Sequence, residues 1–283
     1  MNPFARGPET ISPTAHYTGY VWARHGLAPQ SLTTTEGRVL YDGLRPLMAL
    51  SGAVGAPTLE SFLLVRHRII DALLGEAIDQ GRVGQVVEIA AGMSGRGHRF
   101  SERYGEQLTY VEADLPAMAA RKRRALGPRP PAHRVVDIDA LRERGPLSLH
   151  ELAEGLDRAR GVAVITEGLL NYLSPEQVAS LWARIAQTLR GFPDGLYLSD
   201  LHLHTESGGA IASVFAAALG VFVRGRVHLH FASAAEAQAA LIKAGFTHAV
   251  LHRPGDLADR VPGTDARGAG LVRVIEASSQ EVT

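Results

Sequence analysis

The chain has 283 residues, 46% of them hydrophobic, with 29 Lys plus Arg against 29 Asp plus Glu and no cysteine. That length suits one large α/β domain, or one domain with a modest addition. The charge balance excludes a global field that would draw the chain to nucleic acid or a membrane surface. The missing cysteines exclude disulfides, thiolate metal sites and Cys nucleophiles. The first ten residues, MNPFARGPET, hold no apolar signal core. The longest apolar run, Ala210 to Val223, is too short to span a bilayer comfortably. A soluble, cytoplasmic protein is the expectation.

Residues 1–60 differ in character from the rest. Six prolines break them into short helical patches, and Thr14 to Leu27 is aromatic and His-bearing. This reads as an N-terminal helical cap or lid (1–60) on a larger domain (61–283). Leu59 to Ile78 carries apolar residues at helical spacing, ended by Gly81 and Gly84. From Gln85, strand and helix patterns alternate. Strands are predicted at Val86–Ala91, Leu108–Ala113, Arg134–Ile138, Gly161–Thr166, Leu196–Leu201, Ala249–His252 and Gly270–Ile275. Helices are predicted from Ser94 to Tyr104, Pro116 to Leu126, Leu147 to Arg158, Pro175 to Leu189, Glu206 to Phe222 and Ala234 to Ala244. Ser174, Pro175 and Gln177 make the start of the fourth of these a capping box. The alternation implies a doubly wound, Rossmann-like α/β sheet, mostly parallel, with its ligand beyond the carboxyl ends of the strands.

The first strand contains Glu88 and runs into VVEIAAGMSGRGHRF. A dinucleotide loop would place glycines at Ala90 and Ser94. Gly92, Gly95 and Gly97 share no G-x-G-x-x-G frame, so a pyrophosphate cradle is poorly supported. A phosphate-free adenosyl ligand such as S-adenosylmethionine asks less of this turn. At the end of the second strand Asp114 can accept ribose hydroxyls. Asp137 at the end of the third could meet an adenine amino group. An acid at the second strand end is shared with NAD sites, so it leaves both cofactors open.

Three stretches, VVEIAAGMSGRGHRF, YVEADLPAMAARKRRAL and VITEGLLNYLSPEQV, resemble the leucine carboxyl methyltransferase family, which includes bacterial O-methyltransferases of secondary metabolism. The resemblance covers about residues 60–200. It implies a class I methyltransferase fold: a seven-stranded sheet with the last strand antiparallel and helices over the pocket. It also implies S-adenosyl-L-methionine as cofactor. Arg66 would pair with the methionine carboxylate, Gly92 belong to the cofactor turn, and Asp114, with Leu115 beside it, hold the ribose. Asp137 and Ile138 would contact adenine, Glu167 would lie beside the methionine moiety, and Tyr172 would line the reaction side. Glu88, Ala90 and Ser94 complete the cofactor set. The family's G-A-G-x-D loop is here Ala90-Ala91-Gly92-Met93-Ser94, which loses a charge. Arg96 and Arg99 match two loop basics, at least one of them structural.

Methyl transfer to a carboxylate needs no base, because the acceptor is ionised at neutral pH. A hydroxyl or phenol acceptor gains from one, and His202 is the candidate, with His16, His25, His204, His228 and His230 as further histidines. The two H-x-H pairs lack a carboxylate-rich frame, so no metal is expected. Asn171 offers an amide to a substrate, and Tyr17 and Tyr20, with Trp22, form either a lid over the acceptor or packing. The basic run Arg121 to Arg134 reads as a solvated helix face, or as a dock for an acidic carrier protein delivering the substrate. The expected partner is a small-molecule acceptor, free or carrier-bound. Alternatives are a non-catalytic cofactor-binding protein and an NAD-dependent oxidoreductase.

Overall fold

In the computed structural model, residues 13–53, 58–203, 230–264 and 272–280 are described. The predicted helix near 206–222, and His204 and His228, lie outside them. Two cap helices come first, α1 (Pro13–Arg24) and α2 (Thr35–Ala53), then the long α3 (Leu59–Asp79). The α3 start is fixed by a reciprocal capping box between Thr58 and Ser61.

The sheet elements follow in alternation: β1 (Gln85–Ile89), α4 (Arg96–Tyr104), β2 (Thr109–Asp114), α5 (Pro116–Leu126), β3 (His133–Asp137), α6 (Leu149–Glu154), β4 (Val162–Thr166), α7 (Pro175–Leu189), β5 (Gly195–Leu201), α8 (Ala234–Ala244), β6 (His248–His252) and β7 (Arg273–Ser278). Together the strands form one seven-stranded sheet in the order β3-β2-β1-β4-β5-β7-β6. β1 pairs in parallel with both β2 and β4, while β7 runs antiparallel to β5 and β6. The chain therefore reverses direction across the sheet at β1/β4, the place where doubly wound sheets open a crevice.

Boundaries moved where local chemistry overrode pattern. β1 ends at Ile89, not Ala91, because Ala90 takes a left-handed φ of 55° and leaves the ladder. α6 is shorter than Leu147–Arg158. Leu147 is itself left-handed at φ 68°, Ser148 caps the helix, and Gly155 ends it. β7 reaches Ser278 rather than stopping at Ile275, since Ala277 and Ser278 still pair with β5 on one side and β6 on the other. The α7 capping box between Ser174 and Gln177 forms as read.

Three apolar clusters hold the layers. One face of the sheet packs Trp182, Ile185, Leu241 and Phe246 from α7, α8 and the following turn. The other packs Ile69, Ile70 and Leu74 of α3 with Phe100 of α4. The third joins Tyr17, Val21 and Trp22 of α1 to Leu59, Phe62 and Leu63 of α3, and to Met93 and Met118 beside the β1 and β2 ends. That third cluster seats the cap over the crevice.

Candidate active site

A cavity of about 360 Å³ opens at the carboxyl ends of β1, β2 and β4, within the range of about 300–1,000 Å³ usual for small-molecule sites. Its floor is the turn after β1, with Glu88, Ala90, Gly92 and Ser94. One end is Asp114 with Leu115. The other is Arg66, Glu167 and Gly168. Thr14, Thr18 and Trp22 of α1 form the roof, and Tyr172 stands at the mouth. Leu115 and Tyr172 are 51% and 42% exposed, an apolar rim unusual for side chains of their size.

The Asp114 end is preorganised by backbone. Gly92, at φ +49°, points its N–H at Asp114 Oδ2 at 2.7 Å, and Leu115 N–H reaches Oδ1 at 2.8 Å. Each oxygen keeps a further lone pair for a ligand hydroxyl. Burial raises the Asp114 pKa above its ordinary value, and the two N–H groups pull it part of the way back.

The Arg66 end rests on a buried ionic network. Arg66 Nε donates to Glu167 Oε1 at 3.1 Å and Nη1 to Asp200 Oδ2 at 2.7 Å. The other Asp200 oxygen accepts from Gly168 N–H at 2.6 Å. Gly168 sits at φ +70°, a region that favours glycine, and a Cβ there would crowd Arg66 Nη2 at 3.1 Å. Behind this, the fully buried Arg96 binds Glu88 at 2.6 Å, Asp71 at 2.5 Å and Glu167 at 2.5 Å. Tyr110 donates to the second Glu88 oxygen at 2.8 Å. Arg99 bonds Asp71 and the Leu27 carbonyl, tying the network to the cap. Burial works to raise the Glu167 pKa, but His67 and Arg96 outweigh it and hold the carboxyl well below the usual range. For Asp71, burial is likewise outweighed by His67, Arg96 and Arg99. On the far side of the turn, Lys122 sits buried against Glu112 at 2.7 Å, with His133 at 2.9 Å from the other oxygen.

Arg66, Glu88, Ala90, Gly92, Ser94, Asp114, Leu115, Glu167 and Tyr172 are therefore gathered at one cavity. The remaining sequence-predicted residues are elsewhere. Asp137 pairs with Arg123 at 2.8 Å and lines a separate hollow with Leu147 and Glu151. Ile138 is buried in the sheet core, its N–H bonded to the Asp114 carbonyl. Tyr17 is buried in the cap core, stacked on Tyr41, and Tyr20 packs on the same ring. Asn171 does not line the cavity, and its Oδ1 is buried. His202 is buried, stacked on Phe62 at 4.9 Å and 3.8 Å from Asp200. Among the described residues that line the cavity none is a histidine, and no described group of three His, Asp or Glu is placed to hold a metal ion.

Sequence reasoning missed His67, Asp71 and the Arg66–Asp200 pair. The signal was present: Arg66, His67 and Asp71 interrupt a helix whose apolar residues surround them, so they had to be buried and partnered. It also left open whether Trp22 was packing; Trp22 belongs to the apolar cap cluster and also lines the cavity.

A parallel sheet closed by an antiparallel β7, with the cavity at the β1/β4 switch point and an acid at the β2 end, defines a class I methyltransferase fold. A model of the leucine carboxyl methyltransferase family matches residues 39–186, just over half the sequence, and the chain belongs to that family. A relative from Mycolicibacterium vanbaalenii is 40% identical over 127 residues, covering 44% of this chain and 40% of the relative. One from Mycobacterium marinum is 33% identical over 193 residues, covering 63% and 62%. Each is named "Putative S-adenosyl-L-methionine-dependent methyltransferase". The chain spans about half the length of the curated relatives it matches. Among solved structures, a "putative methyltransferase" from Thermobifida fusca YX superposes with a TM-score of 0.61 at 15% identity, covering 95% of this chain and 98% of that one. A DUF574-family protein from Streptomyces avermitilis gives 0.59 at 14% identity, covering 95% and 97%. At such identities the likeness shows the fold.

Proposed function

We propose that this chain is an S-adenosyl-L-methionine-dependent O-methyltransferase that esterifies a carboxylate of a small natural product. The observation that carries the reading is the two-ended cavity. Asp114 offers acceptor capacity at one end, and Arg66 with Glu167 offers a cation and an anion at the other. That charge pattern fits an adenosyl group joined to a zwitterionic amino acid. The relatives' names and the family membership support the same cofactor.

When bound, the cofactor supplies an electrophilic methyl on a sulfonium, transferred by in-line displacement. The protein's task is to orient and desolvate. Gly92 and Leu115 N–H groups aim Asp114 and offset part of the burial that disfavours its ionised form. Asp200 and Glu167 fix the Arg66 guanidinium, and Arg96 fixes Glu167. Thr14 accepts from Tyr172 OH at 3.2 Å, joining roof to mouth and narrowing the path for water. A carboxylate acceptor arrives ionised and needs no base, which suits a cavity whose described lining lacks histidine. Of the basic run, Arg121, Lys122, Arg123 and Arg129 are engaged within the chain. That favours a free acceptor over a carrier-bound one, in the cytoplasm.

The test is transfer from methyl-labelled S-adenosylmethionine to a panel of carboxylic acids and their alcohol and phenol analogues. Ester products release labelled methanol on mild alkaline hydrolysis, whereas ethers do not. Alkali-labile label from the acids supports the reading. Alkali-stable label would move the acceptor to a hydroxyl, and no transfer alongside NADH binding would sink the methyltransferase reading.

A further inference from the structure

The chain has two lysines, Lys122 and Lys243. Lys243 is exposed, whereas Lys122 is fully buried. A buried ammonium has to be paired. Lys122 Nζ lies 2.7 Å from Glu112 Oε1, and the other Glu112 oxygen has His133 Nε2 at 2.9 Å. Gly97, near the start of α4, leaves the room this needs: a Cβ there would stand 2.7 Å from the Glu112 carboxyl carbon. Held on both oxygens, that carboxylate is not free to swing aside. The cluster therefore accounts for one of the glycines that fit no phosphate frame. None of Gly97, Glu112, Lys122 and His133 lines the cavity, and the chemistry proposed above makes no use of them.

Lys122 Nζ also reaches the Ala91 carbonyl, at 3.4 Å, and Ser94 N–H donates to the same oxygen at 2.9 Å. That carbonyl belongs to the same peptide unit as Gly92 N–H, which donates to Asp114 Oδ2 at 2.7 Å. One planar group thus has the lysine at its oxygen and Asp114 at its hydrogen. Rotating the plane would break both contacts, so fixing the oxygen fixes the direction of the N–H. A cation at the carbonyl oxygen also polarises the amide and strengthens its N–H as a donor. Glu112 and Asp114 are two apart on β2 and share a face, so the lysine that neutralises the first is near enough to act on the second. Among the charged groups around Asp114, Lys122 favours its ionised form and Glu88 of β1 opposes it.

The geometry points to Lys122 as a positioning residue for the ligand site: through the Ala91–Gly92 peptide it holds the Gly92 N–H on Asp114 and keeps that carboxylate aimed into the cavity. The ligand's identity rests on the methyltransferase reading. The inference goes beyond that reading, because neither the family match nor the sequence assigns Lys122 a role.

The test follows the Gly92 amide and the two lysine side-chain nitrogens of the free, full chain by ¹⁵N spectroscopy as pH falls from about 7 to 4. The Gly92 signal reports Asp114 losing its charge. In the wild type the Lys122 nitrogen is expected to move with the same midpoint while Lys243 stays still. For Glu112, burial is outweighed by Lys122 and His133, which keep its pKa below the ordinary value, so it titrates after Asp114. Lys122→Met, similar in length and uncharged, is expected to move the Gly92 midpoint upward by about one pH unit. By calorimetry at neutral pH it is expected to weaken S-adenosylhomocysteine about tenfold. A purely packing role would lower the urea midpoint and leave the Gly92 midpoint where it was, and that result overturns the proposal. So does a wild-type Lys122 signal that ignores the Asp114 transition, a measurement that stands even if the variant folds poorly. Absence of any S-adenosylhomocysteine binding by the wild type is a different failure, that of the methyltransferase reading itself, and the Gly92 and Lys122 signals of the free protein do not depend on it.

Discussion

Asp114 and Ala90 show how much of the site is set by single residues. The Asp114 carboxylate accepts two backbone N–H bonds and still faces the cavity. Asp114→Asn keeps the shape but replaces one acceptor oxygen with a donor. S-adenosylhomocysteine affinity is expected to fall by roughly 10- to 100-fold, the scale of hydrogen bonds to a charged group, as read by calorimetry. Ala90 is the opposite case, a side chain where glycine would be easier. Its φ of 55° costs an L-residue about 1–2 kcal/mol, against about 0.5–1 kcal/mol of extra chain entropy lost by glycine. Ala90→Gly is therefore expected to raise unfolding free energy by up to about 1 kcal/mol in urea titrations. A loss would mean that the Ala90 methyl packs in a way that outweighs the strain.

At the level of elements, α3, α4 and the β4 end share an apolar cluster and, beside it, a buried ionic one. Arg96 on α4 reaches Asp71 of α3, Glu88 of β1 and Glu167 after β4. Removing one member of a buried ion cluster costs more than the cluster contributes, because the remaining charges lose compensation. Arg96→Met is expected to destabilise by about 3–5 kcal/mol, and to abolish ligand binding by releasing Glu167. Helix starts are a gentler lever. Ser174→Ala removes the α7 cap, whose hydroxyl accepts from Gln177 N–H at 3.3 Å, and should cost about 1 kcal/mol with ligand affinity unchanged, since α7 lies on the sheet face away from α3.

Across the whole molecule, acid should act on binding before it acts on the fold. Asp114 has a raised pKa, and ligand hydroxyls bond its ionised form. Affinity is therefore full well above that pKa and falls as pH drops through it. Glu167, Asp71 and Glu112 have lowered values. Their stabilisation is present above the unfolded carboxylate range and is lost only as pH falls through the lower folded values. Lowering pH from about 7 towards 4 should therefore weaken S-adenosylhomocysteine while the urea midpoint of the free protein holds longer. Coincident loss of both would place the sensitive group in the ionic network instead.

Much of this architecture is carried by local pattern. The strand–helix alternation, the α7 capping box and the acid ending β2 depend on neighbours within a few residues, and periodicity and turn chemistry report those directly. The stretches around Gly92, Asp114 and Glu167 likewise sit at strand ends that the pattern locates, but it was the resemblance to a methyltransferase family that named Arg66, Glu167 and Tyr172. The rest depended on partners far apart in sequence. Asp137 reads like Asp114 along the chain, yet Arg123 claims it and turns it to another hollow. Tyr17 and Tyr20 look like a lid, but Tyr17 fills the cap core and both rings pack on Tyr41 of α2. Arg66 meets Asp200 across 134 positions, and Trp22 meets His67 only once α1 has docked on α3. Such contacts leave no periodic trace. Their free energy comes from burial that exists only after the layers close, so three-dimensional packing decides which of several similar acids and aromatics faces the cavity.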